Sequence, residues 1–243
     1  MRKASVLIWL IGAFVLAGTV QADDPLAAAR TAYADGRFLE AADLAQAVGT
    51  SAGYALAADC VAKHGFHLAA DDEKDALYER AMRLAEEAVR LDPNNPEAHL
   101  QVAHAVGRYS EGFGPMKALR EGYPRQVREA METALALDPD MVGAEVSLGG
   151  WHAAVVGRAG GLMARMLGAT RKKAIAHFDR GLELAPDLKE AYFEYANGLL
   201  AINPKRYRER ARELLTQGIE LPPQNAFEQI LHDKAVERLA TLD

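Results

Sequence analysis

The side chains in this 243-residue sequence best suited to bind a transition metal or to act as a nucleophile or base at neutral pH are one cysteine and seven histidines. His64 and His67 flank a Gly-Phe pair, and a zinc site there would need a third ligand, for which Cys60, one helical turn back, is the only local candidate. Because the surrounding ALAADCVAK is typical of a packed helix, we expect a buried free thiol beside ordinary histidines. The alternatives are a reactive thiol or one that pairs between molecules.

No catalytic motif accompanies these residues. The sequence has no His-Glu-x-x-His pair, no nucleophile elbow, no P-loop and no glycine fingerprint after a strand. His152 follows Trp151 on a helix face that should pack inward, so we expect a hydrogen-bonded core residue rather than a general base. The sequence therefore predicts a protein that is not an enzyme and that needs neither cofactor nor metal.

Composition and charge narrow the class further. The chain is rich in Ala, Leu, Glu and Arg, which are strong helix formers, and the formal net charge is −6. An acidic surface argues against nucleic acid or an anionic membrane as the main partner. We therefore expect an almost wholly helical protein that does not bind nucleic acid.

The N-terminal residues have the pattern of a secretory signal peptide. Arg2 and Lys3 precede an apolar stretch over residues 4–17, and a small-residue cleavage pattern ends at Ala22. We therefore expect cleavage after Ala22, export to the periplasm and no stable membrane span in the mature chain. A retained membrane anchor is the alternative. A lipid anchor is not expected, because Thr19 stands where the acylated cysteine would be.

Four segments of the chain end alike. Each has a small residue seven positions before another small residue and a proline five positions later: AMRLAEEAVRLDP (81–93), VREAMETALALDP (127–139), AIAHFDRGLELAP (174–186) and ARELLTQGIELPP (211–223). Small residues at this spacing share one helix face and let a neighbouring helix approach closely. The first three prolines are each followed by another amphipathic helix.

This alternation is the pattern of the tetratricopeptide repeat (TPR). With two earlier units before residue 92, we predict an all-α, TPR-like α-solenoid of five helix-turn-helix repeats over residues 23–243. The segment NAFEQILHDKAVERLATL is expected to be a C-terminal capping helix.

Two repeats are longer than the ordinary period of about 34 residues. The terminal prolines Pro93, Pro139, Pro186 and Pro223 are 46, 47 and 37 residues apart, and the extra residues fall near 108–122 and 158–170, between the two helices of a unit. The second insert, with Leu162, Met163, Met166 and Leu167 on one arc, predicts a short amphipathic helix. It either packs on the solenoid body or covers the concave groove, where methionines adapt to a ligand.

The second insert also supports a family resemblance. Gly150-Trp151, the block ARMLGAT at 164–170, and Ala174 with Phe178 resemble the regulator of microtubule dynamics family, over roughly residues 81–201. The same region is similar to the periplasmic TPR subunit of TRAP-type transporters. The resemblance implies non-catalytic binding, with lipid or other hydrophobic cargo. Because the chain has the signal peptide of an exported bacterial protein, a microtubule function is not carried over.

The concave groove is the predicted binding site, because the first helix of each repeat lines it in this fold and its middle repeat has small side chains. We expect it to hold a hydrophobic small molecule or lipid, as an accessory to a transport system; a groove filled by its own side chains and a scaffold for a partner's peptide or helix are the alternatives. The predicted groove residues are Leu100, Gln101, His104, Arg108, Val146, Ser147, Gly150, Trp151, Ala154, Leu162, Met163, Met166, Leu167, Phe193, Glu194 and Asn197.

Overall fold

The computed structural model describes residues 24–242, so the predicted signal peptide lies outside the described residues. This part of the chain contains twelve α-helices and no strand. The helices are α1 (Ala27–Ala34), α2 (Phe38–Ala47), α3 (Ser51–His67), α4 (Lys74–Leu91), α5 (Pro96–Glu111), α6 (Pro115–Arg120), α7 (Tyr123–Leu137), α8 (Val142–Met166), α9 (Arg171–Leu184), α10 (Lys189–Ile202), α11 (Pro204–Glu220) and α12 (Ala226–Ala240).

Ten of these helices form five antiparallel pairs, as the repeats predict. The pairs are α1–α2, α3–α4, α5–α7, α8–α9 and α10–α11, and each packs against the next. Short polar signals set the helix starts. The Asn95 side chain accepts from the backbone N–H of Glu97 at 3.0 Å, directly before a proline in the first turn of α5. Thr170 caps α9 in the same way.

The predicted small residues are the contact points between helices. Ala81, Ala88, Ala174 and Ala211 are all fully buried. A methyl group placed on Gly181, the small residue seven positions after Ala174, would lie 2.7 Å from Val146 Cγ2, so α8 and α9 touch where only a glycine fits. The predicted α-solenoid of helix-turn-helix repeats is therefore confirmed.

The second insert differs from its prediction. It is not a separate short helix but the continuation of α8, which runs unbroken for 25 residues to Met166. The chain turns only at Gly168, whose φ of +72° lies in the left-handed region. Among the side chains of this extension whose burial the structure describes, Ala164 is the buried one, and Leu162 and Met166, on the other side of the helix, point to solvent. In the first insert, α5 extends to Glu111 and α6 follows it.

The C-terminal helix does more than cap the last repeat. Besides packing on α10 and α11, it reaches the first two units, where Phe227 and Leu231 join the core around α1–α4. The Phe227 ring lies 6.3 Å from that of Tyr33, and Lys234 Nζ lies 2.8 Å from Nδ1 of His67. The solenoid is thus closed across its concave side by its own last helix. Within the described residues, no helix is long and apolar enough to span a bilayer.

Candidate functional site

The concave side of the solenoid holds a cavity of about 680 Å³. Its walls come from α3, α5, α6, α7, α8, α10 and α12, so both inserts and the closing helix contribute to it. This volume falls within the range of about 300–1,000 Å³ that is usual for small-molecule sites. The cavity lies where the sequence placed the groove.

Most of the predicted groove residues line this cavity. They are Leu100, Gln101, His104, Arg108, Val146, Ser147, Gly150, Trp151, Ala154, Leu167 and Glu194. They come together because residues four and seven apart on α5, α8 and α10 present one face of each helix to the concave side.

Five of the predicted groove residues do not line this cavity. Leu162 and Met166 are 78% and 74% exposed, and Met163 is half-buried away from the cavity. On α10 the face toward the cavity carries residues 190 and 194. Phe193 instead packs against the two flanking core clusters, and Asn197 lies outside the lining.

One end of the cavity is apolar. Trp151 stands there with 9% of its surface exposed, and its Nε1 donates to the backbone carbonyl of Pro124 at 3.0 Å. Leu119, Val127 and Met131 complete this end. Because the indole N–H already has a partner, the ring offers an apolar surface to whatever enters.

The other end of the cavity carries charged side chains, and its cations Lys63 and Arg108 are paired with groups of the protein itself. Lys63 Nζ donates to Asp59 at 2.8 Å and to the Tyr33 hydroxyl at 2.9 Å, and lies 4.3 Å from the Phe227 ring centre. Arg108 bonds Glu111 at 3.2 Å and stacks on an aromatic ring of α3. These two cations are held by the protein itself.

Two carboxylates at this end have no such partner. Glu190 and Glu194 lie one turn apart on α10, both line the cavity, and neither makes a hydrogen bond or ion pair within the described residues. Burial raises the pKa of Glu194 to about 7, against the opposing charge of Arg108. Burial also raises the pKa of Glu190, opposed chiefly by Lys63. This pair can accept hydrogen bonds or positive charge from a ligand.

The histidines near the cavity are neutral structural groups. His104 Nε2 lies 2.8 Å from Ser147 Oγ, and burial lowers its pKa to about 4. Burial, aided by the charge of Lys234, lowers the pKa of His67 to about 3. Neither histidine is placed to hold a proton near neutral pH.

Cys60 is a buried free cysteine, as predicted, and burial raises the pKa of its thiol to about 12. Among the described residues, no group of three His, Cys, Asp or Glu side chains is arranged to hold a metal ion, so Cys60, His64 and His67 are not brought together as ligands. His152 is buried but not hydrogen-bonded through Nδ1, contrary to expectation. It stacks on His177 instead, at 5.5 Å.

The contribution of α3 to the cavity was not among the predicted groove residues. Asp59, Lys63, Phe66 and His67 all line the charged end, at spacings of four, seven and eight residues that put them on one helix face. That periodicity was visible in the sequence. Their approach to Glu190 was not, because it depends on α12 drawing the two ends of the solenoid together.

Glutamine at position 194 should stabilise the protein at high pH. The carboxyl titrates near 4.5 in the unfolded chain and near 7 in the fold, so the folded state loses stability as pH rises through this window. Glu194→Gln removes that cost. We expect it to raise the free energy of unfolding by on the order of 1–3 kcal/mol at pH 8 and to have little effect near pH 4.5.

Urea denaturation at both pH values measures this difference. Glu86→Gln, on an exposed carboxylate of α4, is the matched control and should change stability at neither pH. A Glu194→Gln protein that is less stable than wild type at pH 8 would contradict the absence of a partner for this carboxylate.

The five helical pairs and the concave cavity define the class of the molecule, a TPR protein. A thermophilic TPR protein of Thermus thermophilus has a similar structure, with a TM-score of 0.62 at 17% identity, over 88% of this chain and 97% of the other. Weaker structural likenesses are to MamA (TM-score 0.39, 19% identity, 88% and 98% covered) and to a monomeric IFIT1 mutant (0.43, 18%, 83% and 55%).

The family is shown by the sequence. The family described as Regulator of microtubule dynamics protein 1-3 matches residues 37–243, and the chain belongs to it. No curated protein matches the chain at a significant level.

Proposed function

We propose that the cavity binds one amphipathic small molecule, such as a single-chain lipid, with its apolar body against Trp151 and a hydrogen-bond-donating or cationic end at Glu190 and Glu194. The observation that carries this proposal is the pairing of an apolar end with two unpartnered carboxylates in one cavity. Buried carboxylates without partners cost stability, so their retention facing the cavity favours a role in binding.

The closing helix favours a small molecule over an extended peptide. A peptide groove must be open along its length, whereas here α12 spans from the last repeat to the first and covers part of the concave side. A protein partner remains the second candidate, because TPR folds typically bind proteins and because Glu111 and Arg158 at the cavity rim are accessible.

Export fits a carrier of this kind. We propose that cleavage after Ala22 releases the chain to the periplasm, where it hands its ligand to a transport system. N-terminal sequencing of the protein from cells should give Asp23 as the first residue, and a protein that begins at Met1 would rule export by cleavage out.

Trp151 allows binding to be measured directly. In a chain produced from residue 23 onward it is the only tryptophan, because the other one is Trp9. Titration with dodecylamine should give a saturable change in its emission. Dodecanoate, with the same chain length and the opposite charge, should bind at least about tenfold more weakly, since one charge-assisted hydrogen bond is worth more than the ~1.4 kcal/mol that tenfold requires.

Glu194→Gln should weaken the binding of dodecylamine and so bring its affinity closer to that of dodecanoate. If wild type bound dodecylamine and dodecanoate equally well, the proposed role of Glu190 and Glu194 in binding would be contradicted. An emission spectrum that responds to neither compound would remove the small-molecule proposal and leave the protein-partner candidate.

A further inference from the structure

The exposed side chains of the α8 extension are unusual for this protein. Of the large apolar side chains that are exposed in the described residues, Met116, Leu162 and Met166 are 77%, 78% and 74% exposed, whereas the others lie between 38% and 50%. All three are in the two inserts. Leu162 and Met166 are four residues apart on α8 and therefore share one face of that helix.

Basic side chains surround the two apolar ones. Arg158 and Arg165 lie at the spacing that puts them on the same face of α8, and α9 opens with exposed Arg171, Lys172 and Lys173. We call these seven residues the basic-apolar rim: Arg158, Leu162, Arg165, Met166, Arg171, Lys172 and Lys173. Between residues 146 and 178 the sequence has no Asp or Glu at all.

The cations of the basic-apolar rim have no anionic partner within the described residues, since none of the five forms a salt bridge. Elsewhere on the surface, arginines are commonly paired, for example Arg80 with Asp43 and Arg180 with Asp140. The net charge of −6 is thus unevenly distributed, and it hides a local positive surface. Exposed apolar side chains among unpaired cations are the features of a surface that binds anionic lipid headgroups.

We propose that the basic-apolar rim docks on an anionic lipid bilayer, with Leu162 and Met166 entering the interface and the basic side chains contacting lipid phosphates. Arg158 of the rim and Leu167, which follows Met166, also line the cavity. Docking of the rim on a bilayer therefore places the cavity mouth beside the membrane surface. The other six residues of the basic-apolar rim do not line the cavity, so the proposal does not depend on what the cavity binds.

Vesicle co-sedimentation of the chain from residue 23 onward, which contains the whole described fold, tests the proposal. Binding to vesicles of phosphatidylcholine with phosphatidylglycerol should exceed binding to phosphatidylcholine alone by more than tenfold at low salt, and should fall at high salt as the charges are screened. Equal binding to the two kinds of vesicle, or no binding to either, would overturn the proposal.

Two double variants separate the apolar from the basic contribution. Leu162→Gln with Met166→Gln, and Arg165→Glu with Lys172→Glu, should each lower binding to the anionic vesicles by about tenfold or more. All four side chains are exposed, so the melting temperature should not change.

Leu68→Gln with Lys205→Glu, on exposed residues of other helix ends, is the matched control and should bind as wild type does. None of these variants changes a cavity residue, so the dodecylamine titration should be unaffected. Unchanged vesicle binding in both rim variants would place the membrane contact elsewhere and contradict the proposal.

Discussion

Replacement of Phe178 by alanine is expected to lower the free energy of unfolding by about 3–5 kcal/mol. The Phe178 ring is almost fully buried between α8 and α10, where it stacks on Tyr195 at 4.7 Å. It fits there because both facing residues are glycine: a methyl group on Gly149 would lie 2.8 Å from the ring, and one on Gly198 would lie 2.6 Å from it. Removal of the ring leaves a cavity that three helices line.

Urea denaturation measures this loss. Leu137→Ala, at a side chain that is 38% exposed, is the control and should cost well under half as much. Gly198→Ala alone should destabilise wild type, because its methyl group meets the ring. In the Phe178→Ala protein, the same methyl group enters empty space and should recover part of the loss. A loss below about 1 kcal/mol for Phe178→Ala would contradict this packing.

This packing shows what local sequence can reveal. Gly149 falls at the small position that recurs after each repeat proline, and Phe178 belongs to a segment with the same small-residue spacing as three others. Because each TPR unit packs mainly on its neighbours, repeats at short sequence distance determine most of the solenoid. The five helical pairs, the groove and most of its lining could therefore be predicted.

Features that depend on long-range contacts could not be predicted. The contact of Lys234 with His67 joins residues 167 positions apart, and no local sequence pattern predicts it. Without the contact of α12 with the first two repeats, nothing would bring the α3 side chains and Glu190 to the same cavity. The prediction for the second insert was wrong for another reason. Leu162 and Met166 form an apolar pattern that predicts burial, but here the helix that carries them projects beyond the rest of the solenoid, so both side chains are exposed.

The second large effect is expected from filling the cavity at Gly150. This residue lines the cavity within α8, and a Cβ placed on it meets no atom within 4 Å. Gly150→Ala should raise the free energy of unfolding by about 0.5–1 kcal/mol, because glycine is unfavourable within a helix, and should leave room for a ligand. Gly150→Leu should be similarly stable but should place its branched end in the space beside Trp151.

The measurement that tests the account most directly is the affinity of these two variants for dodecylamine by isothermal titration calorimetry, with wild type alongside. If the ligand occupies the cavity, Gly150→Ala should bind within about threefold of wild type, whereas Gly150→Leu should bind at least about tenfold more weakly, a difference of ~1.4 kcal/mol. Both variants should melt at or above the temperature of wild type. Undiminished binding by a stable Gly150→Leu protein would contradict the central claim that this cavity is the binding site.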